Sequence, residues 1–269
     1  MKRTIHLFII ILLSLFISRF CFAQTPEESI FQGTSVKTGL GFEFFNRSMD
    51  TFTLNSDTNG WDKDEEGFNL KSYFFTFTAE FEFQEGLSVS AIIGYAFSNL
   101  DSIIFRKLPF SVEMEVGQIR GLLFGGEIRK SLFYIRNFET EAFGQFLYYI
   151  GTEKEWEIPG LSEKGTVEGI PSWMRASIGP VFTYRAFDYF FPYFSVYYNK
   201  LWGKYKMDQT VQDLKGSEDK KISGKSVISI NLGAIYELTD AFSIKGEASF
   251  MPHKDGVDLG IQFKAMYIF

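Results

Sequence analysis

Strict alternation of apolar and polar residues marks several segments of this chain. From Phe75 to Phe83 the odd positions are apolar and the even positions carry Thr or Glu. From Ile228 to Leu238 the even positions are apolar and the odd positions are mostly polar or small. A period of two predicts β-strands that have one apolar face and one polar face.

Short turns interrupt this pattern at regular intervals. Their centres, Glu85, Asn137, Asp188 and Asp240, lie 52, 51 and 52 residues apart, which predicts a repeated hairpin. Longer polar segments lie between the turns and are predicted to be loops, at 47–69, 98–111, 152–170, 206–221 and 252–256.

The segments between turns and loops predict ten strands, with eight or twelve as alternatives because strand signals in such patterns are weak. The segment 112–130 fits least well, because Leu122, Leu123 and Phe124 interrupt its alternation. The predicted strands are 34–46, 70–84, 87–97, 112–130, 138–151, 172–186, 190–204, 223–238, 242–251 and 257–269.

The first residues have the features of a secretory signal peptide. A basic start, Met1-Lys2-Arg3, precedes an apolar run from Leu7 to Ile17, which is too short for a membrane-spanning helix. We therefore expect residues 1–23 to be a cleaved signal peptide and 24–269 to be one domain; a retained anchor is the less favoured alternative. Cys21 is not expected to carry a lipid, because Arg19 and Phe20 precede it where small residues are required.

The last segment, 257–269, alternates strictly and ends in an aromatic residue. Phe263, Tyr267 and Phe269 share one face of the predicted strand. This segment resembles the carboxy-terminal signature of bacterial outer-membrane β-barrel proteins. The resemblance implies a cell outer-membrane location, contact with outer-membrane lipid, and recognition of these three residues by the barrel-insertion machinery.

The fold expected from these features is all-β, a transmembrane antiparallel up-and-down β-barrel. No stretch after residue 23 is apolar enough for a membrane helix, and every backbone polar group must be satisfied within a bilayer. A soluble β-sandwich also alternates, but its outward face would be polar and would not need 32 Phe.

Composition excludes several classes of function. A net charge of −6 leaves no basic patch for nucleic acid. The one Cys lies in the predicted signal peptide, so neither a disulfide nor thiol chemistry is expected in the mature chain. No cofactor is predicted.

Charged residues of both signs occupy the inward positions of the predicted strands. In a barrel of about ten strands, they either line a narrow polar path and set ion preference, or pair with one another and close the lumen. Pairing is favoured, because an unpaired charge in so narrow a space is costly. The candidates are Glu80, Glu82, Glu127, Arg129, Arg175, Arg185, Glu237, Lys245, Glu247 and Lys264.

Catalytic and metal-binding chemistry has little support in the sequence. Some ten-stranded outer-membrane barrels, the omptin proteases, use an Asp-His pair and a pair of Asp; here His253, the sole histidine after residue 23, lacks that arrangement and is predicted to be a solvated loop residue. The acidic cluster at 57–66 lacks an EF-hand pattern, so no metal site is predicted.

The expected function is therefore a non-enzymatic outer-membrane barrel, either a narrow porin or channel for small solutes or a structural barrel. The alternative is an adhesin whose loops bind a surface ligand, with Trp61 and Trp156 as loop aromatics that mark such a site or belong to an aromatic girdle. An omptin-like enzyme ranks third.

Overall fold

A computed structural model describes residues 34–55, 60–64, 67–83, 86–100, 103–109, 112–114, 118–157, 166–211 and 213–269, with backbone alone at 55, 112–114, 154–157 and 166–167. The predicted signal peptide lies outside these residues. None of the described residues belongs to a helix long and apolar enough to span a membrane. The described strands are β1 (Ser35–Asn55), β2 (Gly60–Lys63), β3 (Phe68–Phe83), β4 (Leu87–Asn99), β5 (Ile103–Phe105), β6 (Val112–Met114), β7 (Gln118–Ile135), β8 (Phe138–Gly151), β9 (Lys154–Glu157), β10 (Thr166–Tyr184), β11 (Phe190–Val211), β12 (Leu214–Gly224), β13 (Ile228–Thr239), β14 (Phe242–His253) and β15 (Gly256–Ile268).

Ten of these strands close into an antiparallel barrel, as the sequence predicts. The ring runs β1, β3, β4, β7, β8, β10, β11, β13, β14 and β15, and closes where β15 pairs with β1 between Lys37↔Ile268 and Asn46↔Leu259. Closure gives every ring strand two neighbours within the ring, while β2 and β9 at the loop end each pair on one side only among the described residues.

The two ends of the barrel differ. At the turn end, short connections join β3 to β4, β7 to β8, β10 to β11 and β13 to β14, at the four predicted turns. At the loop end lie the other connections, but β14 and β15 join there through a tight turn at Lys254-Asp255 rather than through a long loop.

Much of the predicted loop sequence forms strands at the loop end. The predicted loop 206–221 is wrong: β11 continues to Val211, and β12 returns between β11 and β1. β1 likewise extends to Asn55 and pairs with β2, and β10 begins at Thr166, beside β9. These sheets continue the barrel wall beyond β13, β14 and β15.

The predicted strand 112–130 is wrong at both ends: its first residues belong to a different strand, and its last strand extends beyond residue 130. Residues 112–114 form β6, which pairs with β5 in a separate two-stranded sheet, and β7 runs from Gln118 to Ile135. The interruption in its alternation has a packing cause, because Leu123 is fully buried inside the barrel while Leu122 and Phe124 point outward.

Apolar side chains cover the outer wall. Leu40, Phe75, Ile178, Leu232 and Phe263 each keep about half or more of their surface exposed. The inward neighbours Ser195, Ser229 and Asn231 are buried. This inside-out arrangement suits a wall surrounded by lipid.

Candidate functional site

Arg175 sits at the centre of the lumen in a tight ion pair. Its guanidinium spans both carboxylate oxygens of Glu43, with Nη2 2.9 Å from Oε2, and donates to Gln145 Oε1 at 3.0 Å. The side chains of Arg175 and Glu43 keep 9% and 14% of their surface exposed. A two-point pair of this kind fixes both groups and leaves neither charge open to a solute.

Glu127 and Arg129 form the next pair along the lumen. Arg129 Nε lies 2.7 Å from Glu127 Oε1, and its Nη1 lies 4.0 Å from Glu141. Gln145 donates to the other oxygen of Glu127 at 3.2 Å, so that amide links this pair to Arg175.

Two further groups of charges lie nearer the turn end. Lys37 contacts Glu82 at 2.8 Å and Glu80 at 3.7 Å. Across the lumen, Arg185 lies 2.7 Å from Glu139. Glu139 also accepts hydrogen bonds from Ser131 at 2.8 Å and Tyr134 at 2.5 Å.

The last predicted lumen charges lie on β13, β14 and β15. Lys245 is 3.3 Å from Glu247, which accepts a hydrogen bond from Tyr193 at 2.7 Å. Lys264 is directly opposite Lys245 in the strand register, and Glu237 is half-buried near the turn end.

The space left between these side chains is small. Two interior cavities of about 40 and 20 Å³ are lined by residues that include Glu43, Glu127, Gln145 and Gln262. Volumes of this size hold a few water molecules. Eight of the ten predicted lumen charges thus lie in ion pairs with room for water between them, whereas Glu237 and Lys264 have no ion-pair partner among the described residues.

An apolar layer, which the sequence analysis missed, fills the lumen toward the loop end. Trp173 is fully buried there and stacks on Tyr149, with ring centroids 5.2 Å apart. Phe74 and Phe45 pack against the same indole at 5.5 and 5.7 Å. The indole N–H donates to Ser98 Oγ at 3.2 Å, so its one polar group is satisfied. Trp173 and Arg175 are two residues apart on β10, so their side chains lie on the same face of the strand. This spacing was the signal in the sequence that Trp173 points inward.

The described part of the connection after β4, residues 100 and 103–109, packs over this layer as a cap. Ile103 and Phe105 are buried, and Phe105 packs on Tyr205 of β11 with centroids 5.4 Å apart. The backbone N–H of Lys107 donates to Glu218 of β12 at 2.7 Å. The cap is therefore attached to the extended wall by both apolar and polar contacts.

An ion pair between Asp64 and Lys220 ties the β2 side of the loop end to β12. Lys220 Nζ lies 2.6 Å from Asp64 Oδ2 and 2.9 Å from Thr53 Oγ1. Partial burial acts to raise the pKa of Asp64, but the hydrogen bonds from Lys220 and Thr53 outweigh it and hold that pKa below its ordinary value.

We expect the loop end to loosen in acid because of this pair. A carboxyl whose pKa is lowered by folding stabilises the fold above its ordinary pKa, and the stabilisation is lost as pH falls through the folded-state pKa. The substitution Asp64→Asn should lower the stability of the loop end by about 1 kcal/mol at pH 6, and by almost nothing once the wild-type carboxyl is protonated. Hydrogen exchange of β12 amides in wild type and variant, at pH 6 and at successively lower pH below 4, measures the difference between the two proteins; a difference that does not shrink as the pH falls contradicts the assignment.

The side chain of His253 is buried, contrary to the prediction of a solvated loop residue. Its Nε2 lies 3.3 Å from Asp258 Oδ1, and both side chains are about 5% exposed. Asp258 also accepts hydrogen bonds from the Ser48 N–H at 2.9 Å and the Ser226 hydroxyl at 2.8 Å. Asp258 thus joins β15 to β1 and to the segment before β13, which is a structural arrangement.

Of the two loop tryptophans, the structure describes the side chain of Trp61 only. Trp61 lies on β2, half-buried, with Lys221 Nζ 3.9 Å from its ring centroid. Trp156 lies on β9, and its side chain falls outside the described part of the structure. The residues Phe263, Tyr267 and Phe269 are exposed on the outer wall beside β1 and β14.

Among the residues that the structure describes, no group of three His, Cys, Asp or Glu side chains could hold a metal ion. Of the acidic cluster at 57–66, Asp57, Glu65 and Glu66 lie outside those residues.

Comparison with known proteins identifies the fold. No protein-family model matches this sequence, and no curated protein matches it. Among solved structures, the outer membrane protease OmpT from Escherichia coli aligns over 91% of this chain and 100% of its own, at 10% identity and a TM-score of 0.50. The attachment invasion locus protein Ail of Yersinia pestis aligns over 88% and 100%, at 13% identity and 0.34. The toluene transporter TodX of Pseudomonas putida aligns over 88% and 89%, at 8% identity and 0.35.

Proposed function

We propose that this protein, which has the fold of outer-membrane β-barrels, is a closed and non-enzymatic barrel of the outer membrane. It acts through the folded structure at its loop end rather than as an open pore. The loop end faces the outside, because short turns are periplasmic and long connections are extracellular in such barrels.

The filled lumen is the observation that carries this proposal. Most charges in the half near the turn end are paired with one another, and Trp173, Phe74 and Phe45 fill the half near the loop end under the cap. An open channel needs continuous water along its axis, whereas two cavities between the described lumen side chains measure only about 40 and 20 Å³.

The absence of enzymatic activity is supported by the environment of His253. A general base must reach a substrate proton, but the Nε2 of His253 contacts Asp258, and its Nδ1 accepts the Asp255 N–H at 3.3 Å. Both ring nitrogens therefore have partners within the protein.

Binding of a surface ligand by the loop end is the activity we infer for the closed barrel. β1, β10, β11 and β12 continue the wall as paired sheet beyond the other strands, which gives a rigid platform rather than mobile loops. Rigid surfaces lose little entropy on binding.

Liposome swelling tests the proposal. Vesicles containing the purified protein, transferred into iso-osmotic arabinose, should swell no faster than protein-free vesicles, while vesicles containing a general porin swell rapidly. Swelling at a rate proportional to the amount of inserted protein would support the narrow-channel alternative instead.

A further inference from the structure

Two buried arginines inside the barrel each keep one N–H group without a partner. The Nε atoms of Arg47 and Arg175 are buried and form no hydrogen bond within the described residues. Their other nitrogens are used, because Arg47 donates to Asn199 and Ser226 and Arg175 donates to Glu43. A buried donor that lacks a partner costs free energy, so such a group in a native interior indicates a bound water molecule or ion.

Both arginines line the larger of the two lumen cavities, which has a volume of about 40 Å³. Ser177, Ser249 and Asn231 line the same space and contribute neutral polar groups. A cavity of this volume holds a few water molecules. A chloride ion is only slightly larger than a water molecule, whereas phosphate, sulfate and organic acids are much larger. The cavity therefore has room for a monatomic anion but not for a polyatomic one.

The charged residues around this cavity carry a surplus of positive charge. Four cations and three carboxylates line it, namely Arg47, Arg129, Arg175 and Lys245 against Glu43, Glu127 and Glu247. Lys264 lines the adjoining smaller cavity and adds to the surplus. Glu141 and Asp258 contact Arg129 and Ser226, but neither carboxylate lines the space. A surplus of charge in an interior of low dielectric constant is costly; water leaves the surplus unchanged, whereas an anion removes it.

We propose that the larger lumen cavity binds one chloride ion, which accepts hydrogen bonds from the Nε–H groups of Arg47 and Arg175. Hydrogen bonds between charged donors and an anion are about twice as strong as those between neutral groups. Because Arg47 belongs to β1 and Arg175 to β10, the ion joins two strands that are not neighbours in the ring and stabilises the folded barrel. This inference rests on the closed lumen proposed above, but not on ligand binding by the loop end. A barrel that fails to swell liposomes and shows no response to halide refutes the chloride site alone.

Bromide replaces chloride in such a site and can be located by anomalous diffraction. Crystals of the protein refolded and grown in sodium bromide should show an anomalous peak inside the cavity, within hydrogen-bonding distance of the Nε atoms of Arg47 and Arg175. Absence of a peak there overturns the proposal and means that the cavity holds water only.

The dependence of stability on chloride measures the affinity. Urea unfolding in vesicles is compared in sodium chloride and in sodium gluconate at the same ionic strength, since gluconate is too large for the cavity. An ion that binds only the folded barrel, with a dissociation constant of about 30 mM, should raise the equilibrium constant of folding about tenfold in about 0.3 M chloride.

Three variants separate this site from a general effect of salt. Lys245→Met leaves the cavity with equal numbers of cations and carboxylates and should reduce the chloride effect to about twofold or less. The double variant Lys245→Met/Glu247→Gln restores the surplus and should recover the full effect. Lys37→Met, the control, removes a lumen cation that pairs with Glu82 and does not line the cavity, and should leave the effect unchanged. Equal chloride effects in Lys245→Met and Lys37→Met overturn the proposal.

Discussion

Replacing Trp173 by Ala should lower the free energy of unfolding by about 3–5 kcal/mol, the usual cost of removing a large aromatic side chain from a packed interior. The indole is fully buried and contacts the rings of Phe45, Phe74 and Tyr149. Its removal also takes the N–H donor from Ser98. Urea unfolding in vesicles, followed by tryptophan emission and by electrophoretic mobility of the unheated protein, measures the loss.

Trp202→Ala is the matched control for this experiment. Trp202 lies on the neighbouring strand but points outward, with its nearest aromatic partner, Phe146, 6.4 Å away between centroids. The Trp202→Ala variant should lose less than half as much free energy of unfolding as the Trp173→Ala variant. If the two variants lose the same stability, Trp173 does not occupy a packed layer inside the barrel.

Replacing Arg175 by Met should lower the free energy of unfolding by about 3–5 kcal/mol, because it leaves the Glu43 carboxylate buried without its partner. Glu43 would keep only the Gln262 amide at 3.5 Å. The effect arises from the orphaned charge rather than from a lost attraction. The double variant Glu43→Gln/Arg175→Met should therefore recover most of the loss.

Arg120→Met is the control, because Arg120 is exposed at the end of β7 and the same change there removes no buried partner. The comparison uses the same unfolding assay. A double variant that is less stable than Arg175→Met alone would show that Arg175 and Glu43 act independently, contrary to the bidentate geometry.

Within the apolar band, the lipid-facing part of the outer wall, the sequence predicts which residues of a strand face inward and which face outward. Residues such as Phe75 and Glu80 differ sharply in polarity because one faces lipid and the other faces the lumen. Beyond the band, both faces of a strand can be polar. Lys206 and Asp208 point outward from β11 yet look like loop residues, so the extension of β11 and the whole of β12 were not predicted.

The charges of the lumen and their tendency to pair were predictable, but which residue pairs with which was not. Parity places Glu43 and Arg175 on inward faces, yet 132 residues separate them, and only the closure of the ring brings them together. The apolar layer was missed for a different reason. The inward residues Phe74, Leu123 and Trp173 are apolar and therefore interrupt the alternation from which strands are predicted. The sequence pattern gives no reason for these interruptions, whereas the structure shows that the three side chains fill the lumen.

Single-channel conductance of the wild-type protein in a planar bilayer is the most direct test of the closed lumen. A closed lumen predicts that the bilayer shows no conductance after insertion, at moderate voltage and in 1 M KCl, while electrophoresis of the same sample shows folded barrel. Discrete conductance steps that change size or selectivity in Arg175 or Glu80 variants would contradict it, because they would require a continuous aqueous path past both the paired charges and Trp173.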